Sequence, residues 1–212
     1  MKLGKAAMEA LQAEITGCLK PGDELIVAGA AALEGTARIV YLKKDELKRY
    51  FSPGFLTSCI SLKEDYGTEN GSESETGKNH VWDAAVKAGA SCLYAMGEGG
   101  FLSALWKMAE ASQVGLEADL RKVPIRQETI EICEIYDLNP YKLMSDGAIL
   151  IGIRGGEGLV QELRRMGYMA EIIGQTNAGN DRLLYSNGNP RYLERPAKDE
   201  LWRVEITGEN HG

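Results

Sequence analysis

The sequence predicts an α+β fold, a mixed β-sheet with helices packed on it. Three features carry the prediction. Short apolar runs of strand length alternate with stretches at helical spacing, most regularly from Gly115 onwards. Two glycine-containing turns, Glu34-Gly35-Thr36 and Gly97-Glu98-Gly99-Gly100, lead straight into helical patterns. An Asn187-Gly188 pair between two short runs marks a hairpin near the end of the chain.

Taken in order, Ala6 to Leu19 reads as a helix because Met8, Leu11 and Ile15 share one face. Lys20-Pro21-Gly22-Asp23 ends it with turn chemistry, and Glu24 to Gly29 is a short buried strand. Ile39, Val40 and Leu42 follow the Glu34-Gly35-Thr36 turn at helical spacing, and Asp45 to Phe51 continues the helix. Ser52-Pro53 supplies an N-cap and an N1 proline for a helix bearing Phe55, Leu56, Cys59, Ile60 and Leu62. Residues 67–78 are acidic and free of apolar side chains, the composition of a mobile loop. Val81, Trp82, Ala85 and Val86 resume an amphipathic helix, which leads into a strand at Cys92 to Met96.

The second half predicts strands at Gly115–Leu120, Ala148–Ile153 and Met169–Ile173. Helices from Pro124 or Ile125 to Leu138 and at Gly158–Met166 lie between them, and the hairpin pairs Arg182–Tyr185 with Arg191–Glu194. Residues 1–19 form a helical extension and residues 20–206 one domain. At 212 residues the chain can bury a core of ordinary size.

A net charge of −7, with no basic stripe, argues against nucleic acid as a partner. No apolar run reaches the roughly 18 residues of a membrane span, and no signal-peptide pattern opens the chain, so a cytoplasmic location is expected. Cys18, Cys59, Cys92 and Cys133 form no Cys-x-x-Cys pair, and with only His80 and His211 beside them they predict buried thiols, not a metal site. Trp82, Trp106 and Trp202 read as core and interface anchors.

The chemistry-bearing stretch is Cys92 to Ser112, a strand, a glycine turn and a helix start. This order aims several backbone N–H groups at one point and favours an anion, usually a phosphate. Gly97, Glu98, Gly99 and Gly100 are the candidate phosphate-binding residues, and Gly35 with the Thr36 hydroxyl forms a second donor group. Each turn also has a purely structural reading, a tight turn or a helix cap. A helix terminus contributes at most about 2 kcal/mol towards an anion, while micromolar affinity needs about 8 kcal/mol. The turn therefore requires a cation, a pocket or a partner chain before it can hold a nucleotide. Asp83 and Glu98 are a conceivable carboxylate pair that nothing in their spacing demands.

Several segments resemble one family. They are Lys20-Pro-Gly-Asp-Glu-Leu-Ile-Val27, Leu33-Glu-Gly-Thr-Ala37, Phe51-Ser-Pro-Gly-Phe-Leu56, Gly99-Gly100, Met108-Ala-Glu-Ala-Ser112, Val123-Pro-Ile-Arg126 and Asp199-Glu-Leu-Trp202. Together they resemble the C-terminal domain of proteins related to aminoimidazole ribonucleotide (AIR) synthase, nearest to the hydrogenase-maturation branch. In that family the resemblance implies an N-terminal domain that dimerises and holds magnesium-ATP, with the second domain closing over the phosphates. The sequence offers only the second domain's pattern after a short opening helix.

Two departures bear on chemistry. The family's turn, Asp-x-Thr-Asp/Glu-Gly-Gly, reads Ala95-Met96-Gly97-Glu98-Gly99-Gly100, so the first acid is Ala95. The cysteine tail on which the maturation factor carries its carbamoyl group has no counterpart after Cys133. The expectation is a binding or assembly protein without catalytic residues, metal or cofactor of its own. ATP with magnesium would enter only with a partner domain. The expected partner is a second copy or a chain that supplies that domain. The alternative is one half of a split ATP-dependent enzyme.

Overall fold

The computed structural model describes residues 3–68 and 80–209, without the side chains of 206–209. The greater part of the predicted mobile loop, residues 69–78, lies outside the described residues. In chain order the elements begin α1 (Lys5–Ala13), β1 (Thr16–Gly17), β2 (Glu24–Ala28), α2 (Leu33–Leu47), α3 (Pro53–Tyr66), α4 (His80–Lys87) and β3 (Cys92–Ala95). They continue α5 (Gly100–Ser112), β4 (Gly115–Asp119), α6 (Gln127–Ile135), β5 (Ile149–Ile153), α7 (Glu157–Arg165), β6 (Ala170–Asn177), β7 (Arg182–Ser186), β8 (Asn189–Tyr192) and α8 (Leu201–Glu209).

Among the described residues the strands form one eight-stranded mixed sheet in the order β1-β3-β5-β2-β6-β4-β7-β8. Neighbours run antiparallel except β4 and β7, which pair in parallel from Leu116 with Arg182 to Asp119 with Tyr185. The central strands β2 and β5 are apolar on both faces because both faces are covered. Leu25 and Val27 point to a core shared with α1 and α5. Ile26 and Ala28 point to a second core under α4 and α7. A third cluster joins α2, α3, α6 and α8 through Ile39, Leu56, Ile132, Leu143 and Leu201. Each fully buried Leu or Ile contributes roughly 1.5–3 kcal/mol by leaving water.

Local chemistry explains most boundaries. Ser52 Oγ accepts the Phe55 N–H at 3.3 Å and caps α3, with Pro53 at its first position. Asn187 and Gly188 both take positive φ, at 54° and 81°, the geometry of a two-residue hairpin turn. The hairpin starts two residues earlier on its second strand than the sequence suggests, since Ser186 pairs with Asn189.

Two expectations are corrected. The first helix stops at Ala13, not Leu19, because Gly17 takes φ +81° and lets Thr16-Gly17 pair with β3; a Cβ there would lie 2.2 Å from the Ser91 carbonyl oxygen. Cys18 is exposed, whereas Cys59, Cys92 and Cys133 are buried and desolvation pushes each of these thiols up to about 12. Trp106 lies in the core and Trp202 is 48% exposed, both within the core-or-interface reading. Among the described residues no helix is long and apolar enough to cross a membrane.

Candidate functional site

β3 ends at Ala95, and the Met96 N–H still donates to Ala148 O at 2.8 Å. The chain then turns through Gly97 and Glu98 into Gly99, the left-handed N-cap of α5 at φ +78°. Gly100 is also left-handed, at φ +65°, and a Cβ there would come within 2.5 Å of Leu143 O and 2.8 Å of Tyr141 O. Only glycine meets both demands. Gly97 O accepts from Gly100 N and from Ser145 N, each at 3.1 Å, which fixes the turn against residues 141–145.

The Gly99 N–H is already paired. It donates to Asp199 Oδ2 at 2.6 Å, while Asp199 Oδ1 accepts from Leu201 N at 2.9 Å. Asp199 is 7% exposed. A carboxylate of the chain itself thus stands where an oxygen of an incoming anion would approach, and it joins the starts of α5 and α8. Charge-assisted bonds of this kind are about twice as strong as neutral ones.

The second predicted donor group lies elsewhere. α2 begins at Leu33 after Ala32, which is left-handed at φ 64°, so Gly35 and Thr36 belong to the first helical turn and do not form a turn before it. Both are buried. Gly35 N donates to Met144 O at 3.0 Å, and the Thr36 hydroxyl donates to Ala32 O at 2.7 Å and pairs with the Thr129 hydroxyl at 2.9 Å. Gly35 is a contact glycine, since a Cβ would lie 2.4 Å from Leu143 Cγ. These donors are committed inside the protein. The structure does not join Asp83 to Glu98: Asp83 is exposed on α4, on the opposite side of the sheet from α5.

Two cavities flank the glycine turn. One, of about 230 Å³, lies between the start of α5, β7 and β8, and residues 193–197; Gly99, Ser103, Lys142, Arg191 and Arg195 are among its lining residues. The other, of about 320 Å³, is lined by Arg38, Glu98, Met144, Lys198, Asp199, Leu201, Trp202 and Glu205. Lys198 Nζ sits 3.5 Å from the centroid of the Trp202 ring.

Sequence reasoning missed Asp199, Ser103 and the three cations of the first cavity. Asp199 carried one usable signal, an acid just before an apolar run, which is a helix-start pattern. The cations carried none, because Lys142 and Arg191 meet only through the tertiary fold.

A mixed sheet with helices on both faces and a glycine turn opening α5 defines an α+β domain of the architecture that the sequence resembles. The chain belongs to the family described as AIR synthase related protein, C-terminal domain, which matches residues 20–185. A Methanocaldococcus jannaschii protein named for hydrogenase expression and formation is 31% identical over 111 residues, covering 50% of this chain and 33% of that one. Carbamoyl dehydratase HypE of Azotobacter vinelandii is 24% identical over 195 residues, covering 87% of this chain and 51% of HypE. In a crystal structure of a HypE–HypF complex, a chain aligns with TM-score 0.64 at 19% identity, over 84% of this chain and 54% of that one. The chain therefore spans a third to about half the length of the relatives it matches.

Proposed function

We propose that this chain is a non-catalytic binding or assembly protein related to hydrogenase-maturation factors, with the Gly97–Gly100 turn as its ligand-facing element. One observation carries the reading: the Asp199 carboxylate occupies the Gly99 N–H at 2.6 Å. A triphosphate approaching that donor would meet a fixed negative charge, and the end of β3 offers Ala95 where relatives place an acid. Magnesium on ATP takes most of its ligands from phosphate and water, and between Ala95 and Gly100 Glu98 is the one carboxylate on offer to it. An assembly role is supported by an apolar groove on α2 and α3, where Tyr41, Leu42 and Ile60 are 78%, 50% and 39% exposed. A similar protein, HypE, is found in complex with HypF.

The test is calorimetric titration with magnesium-ATP and AMP, run beside a phosphate-release assay on the purified chain. No turnover is expected. Sustained ATP hydrolysis at ordinary enzymatic rates, removed by Glu98→Gln, overturns the reading.

A second reading is favoured by the length of the match. Because the chain spans about half of HypE, it can act as one half of a split ATP-dependent enzyme, with a separate chain holding the nucleotide. Copurification of a chain rich in Asp that restores ATP hydrolysis supports this alternative. A purified homodimer without such a companion removes it.

A further inference from the structure

We infer that the cavity between α5, β7 and β8, and residues 193–197 binds a small phosphomonoester, with Ser103, Lys142, Arg191 and Arg195 around its phosphate. This rests on the reading above, that the Gly97–Gly100 turn serves binding and not turnover. It adds the place and the class of the ligand.

The first observation is Ser103. It is 5% exposed, lines the cavity, and its hydroxyl has no hydrogen-bond partner among the described residues. Its Oγ lies 3.0 Å from the point where a Gly99 Cβ would stand, so only glycine at 99 leaves room for it at the helix start. Facing a cavity, it is an open donor for a ligand oxygen.

The second observation is charge. In a chain of net charge −7, three cations and one carboxylate line this small space. Among the described residues Glu194 pairs with Lys142, at 3.7 Å. Arg191 is exposed on β8 and forms no ion pair among the described residues. Arg195 is held with its guanidinium carbon 5.9 Å from the Trp106 ring centroid. Asp199 lines the neighbouring cavity, with its carboxylate bonded to Gly99 N and Leu201 N. The lining charge thus favours an anion of more than one negative charge.

The third observation is size and polarity. Leu102, Leu184 and Leu193 give the cavity an apolar wall. Its volume of about 230 Å³ falls below the roughly 300–1,000 Å³ of sites for drug-sized ligands, which suits a phosphate on a compact organic group better than a whole nucleotide.

The test uses the full chain and follows amide and Arg side-chain NMR signals during titration at constant ionic strength. The probes are phenyl phosphate, inorganic phosphate and benzoate. Saturable shifts centred on Ser103 and Arg191 are expected, strongest for phenyl phosphate and weakest for the singly charged benzoate. Arg191→Gln, at an exposed position, should weaken phenyl phosphate by roughly five-fold, the scale of one partly exposed ion pair. Glu194→Gln should tighten it, and Lys87→Gln on α4 should leave it unchanged. Linear, unsaturable shifts overturn the site, as does an Arg191→Gln affinity equal to that of the unaltered chain or an equal loss in Lys87→Gln. Benzoate binding as tightly as phenyl phosphate overturns the ligand class. ATP hydrolysis by the same preparation would instead remove the non-catalytic reading and leave these affinities standing.

Discussion

The starts of α2 and α5 share a local plan and differ in what surrounds them. Each helix is entered through a left-handed residue, Ala32 at φ 64° and Gly99 at φ 78°, and each has a glycine pressed against Leu143. At α2 the donors end on the protein's own carbonyls and hydroxyls: Ala32 N on Ser145 Oγ, Gly35 N on Met144 O, Thr36 on Ala32 O and Thr129. At α5 one donor ends on a carboxylate, and the buried Ser103 hydroxyl opens onto a cavity. The lesson is that a glycine turn before a helix is only half of an anion site. Whether it faces a ligand depends on which groups the rest of the fold delivers to it.

The sharpest way to break the comparison is Gly100→Ala. The new Cβ meets backbone oxygens at 2.5 Å and 2.8 Å in a left-handed conformation, so neither neighbour can yield by rotating a side chain. A loss of about 3 kcal/mol is expected in urea denaturation, combining the left-handed penalty with overpacking. Thr36→Val comes next, because it leaves the buried Thr129 hydroxyl facing a methyl group. About 2 kcal/mol should be lost by the same measurement. No change in phosphate binding should accompany it, since α2 is the closed member of the pair.

Gly35→Ala is expected to cost less, about 1 kcal/mol. Its Cβ meets the buried Leu143 Cγ at 2.4 Å and the Met144 carbonyl oxygen at 3.0 Å, an overpacking that alanine's helix propensity offsets in part. The smallest effect concerns pH. The Arg38 hydrogen bond at 2.7 Å, aided by the nearby Lys63 charge, holds the Glu34 carboxyl below its usual range. A lowered folded value means its contribution is present above about pH 4.5 and is lost as the pH falls through that lowered value. Arg38→Gln should therefore cost a few tenths of a kcal/mol at pH 7, where the pair is half exposed, and the difference should fade below about pH 4. Thermal melts across pH 3–7 would show it.

What the sequence disclosed follows from how local each signal is. Ser52-Pro53 and Asn187-Gly188 act within four residues of themselves, so the start of α3 and the hairpin turn were readable. The apolar runs of β2 and β5 were equally plain, because a strand buried on both faces needs no periodicity. The break at Gly17 was not readable, since its cause is the Ser91 carbonyl far along the chain. The turn at Gly97–Gly100 was legible as backbone geometry. Its occupant was not: Asp199 lies one hundred positions away, and only packing of α8 against α2 and α6 brings it to Gly99. The cavity beside it is assembled from α5, β8 and residues 193–197, and no window along the chain contains them together.

Residues 141–145 touch both helix starts at once, through Tyr141 O, Leu143 and Met144 O, with Ser145 bonded to Ala32 and Gly97. This short span works as a shared rivet between two otherwise separate hinges. Loosening either helix start strips backbone partners from the other, so hydrogen exchange at Gly35 and at Gly100 should rise and fall together instead of independently.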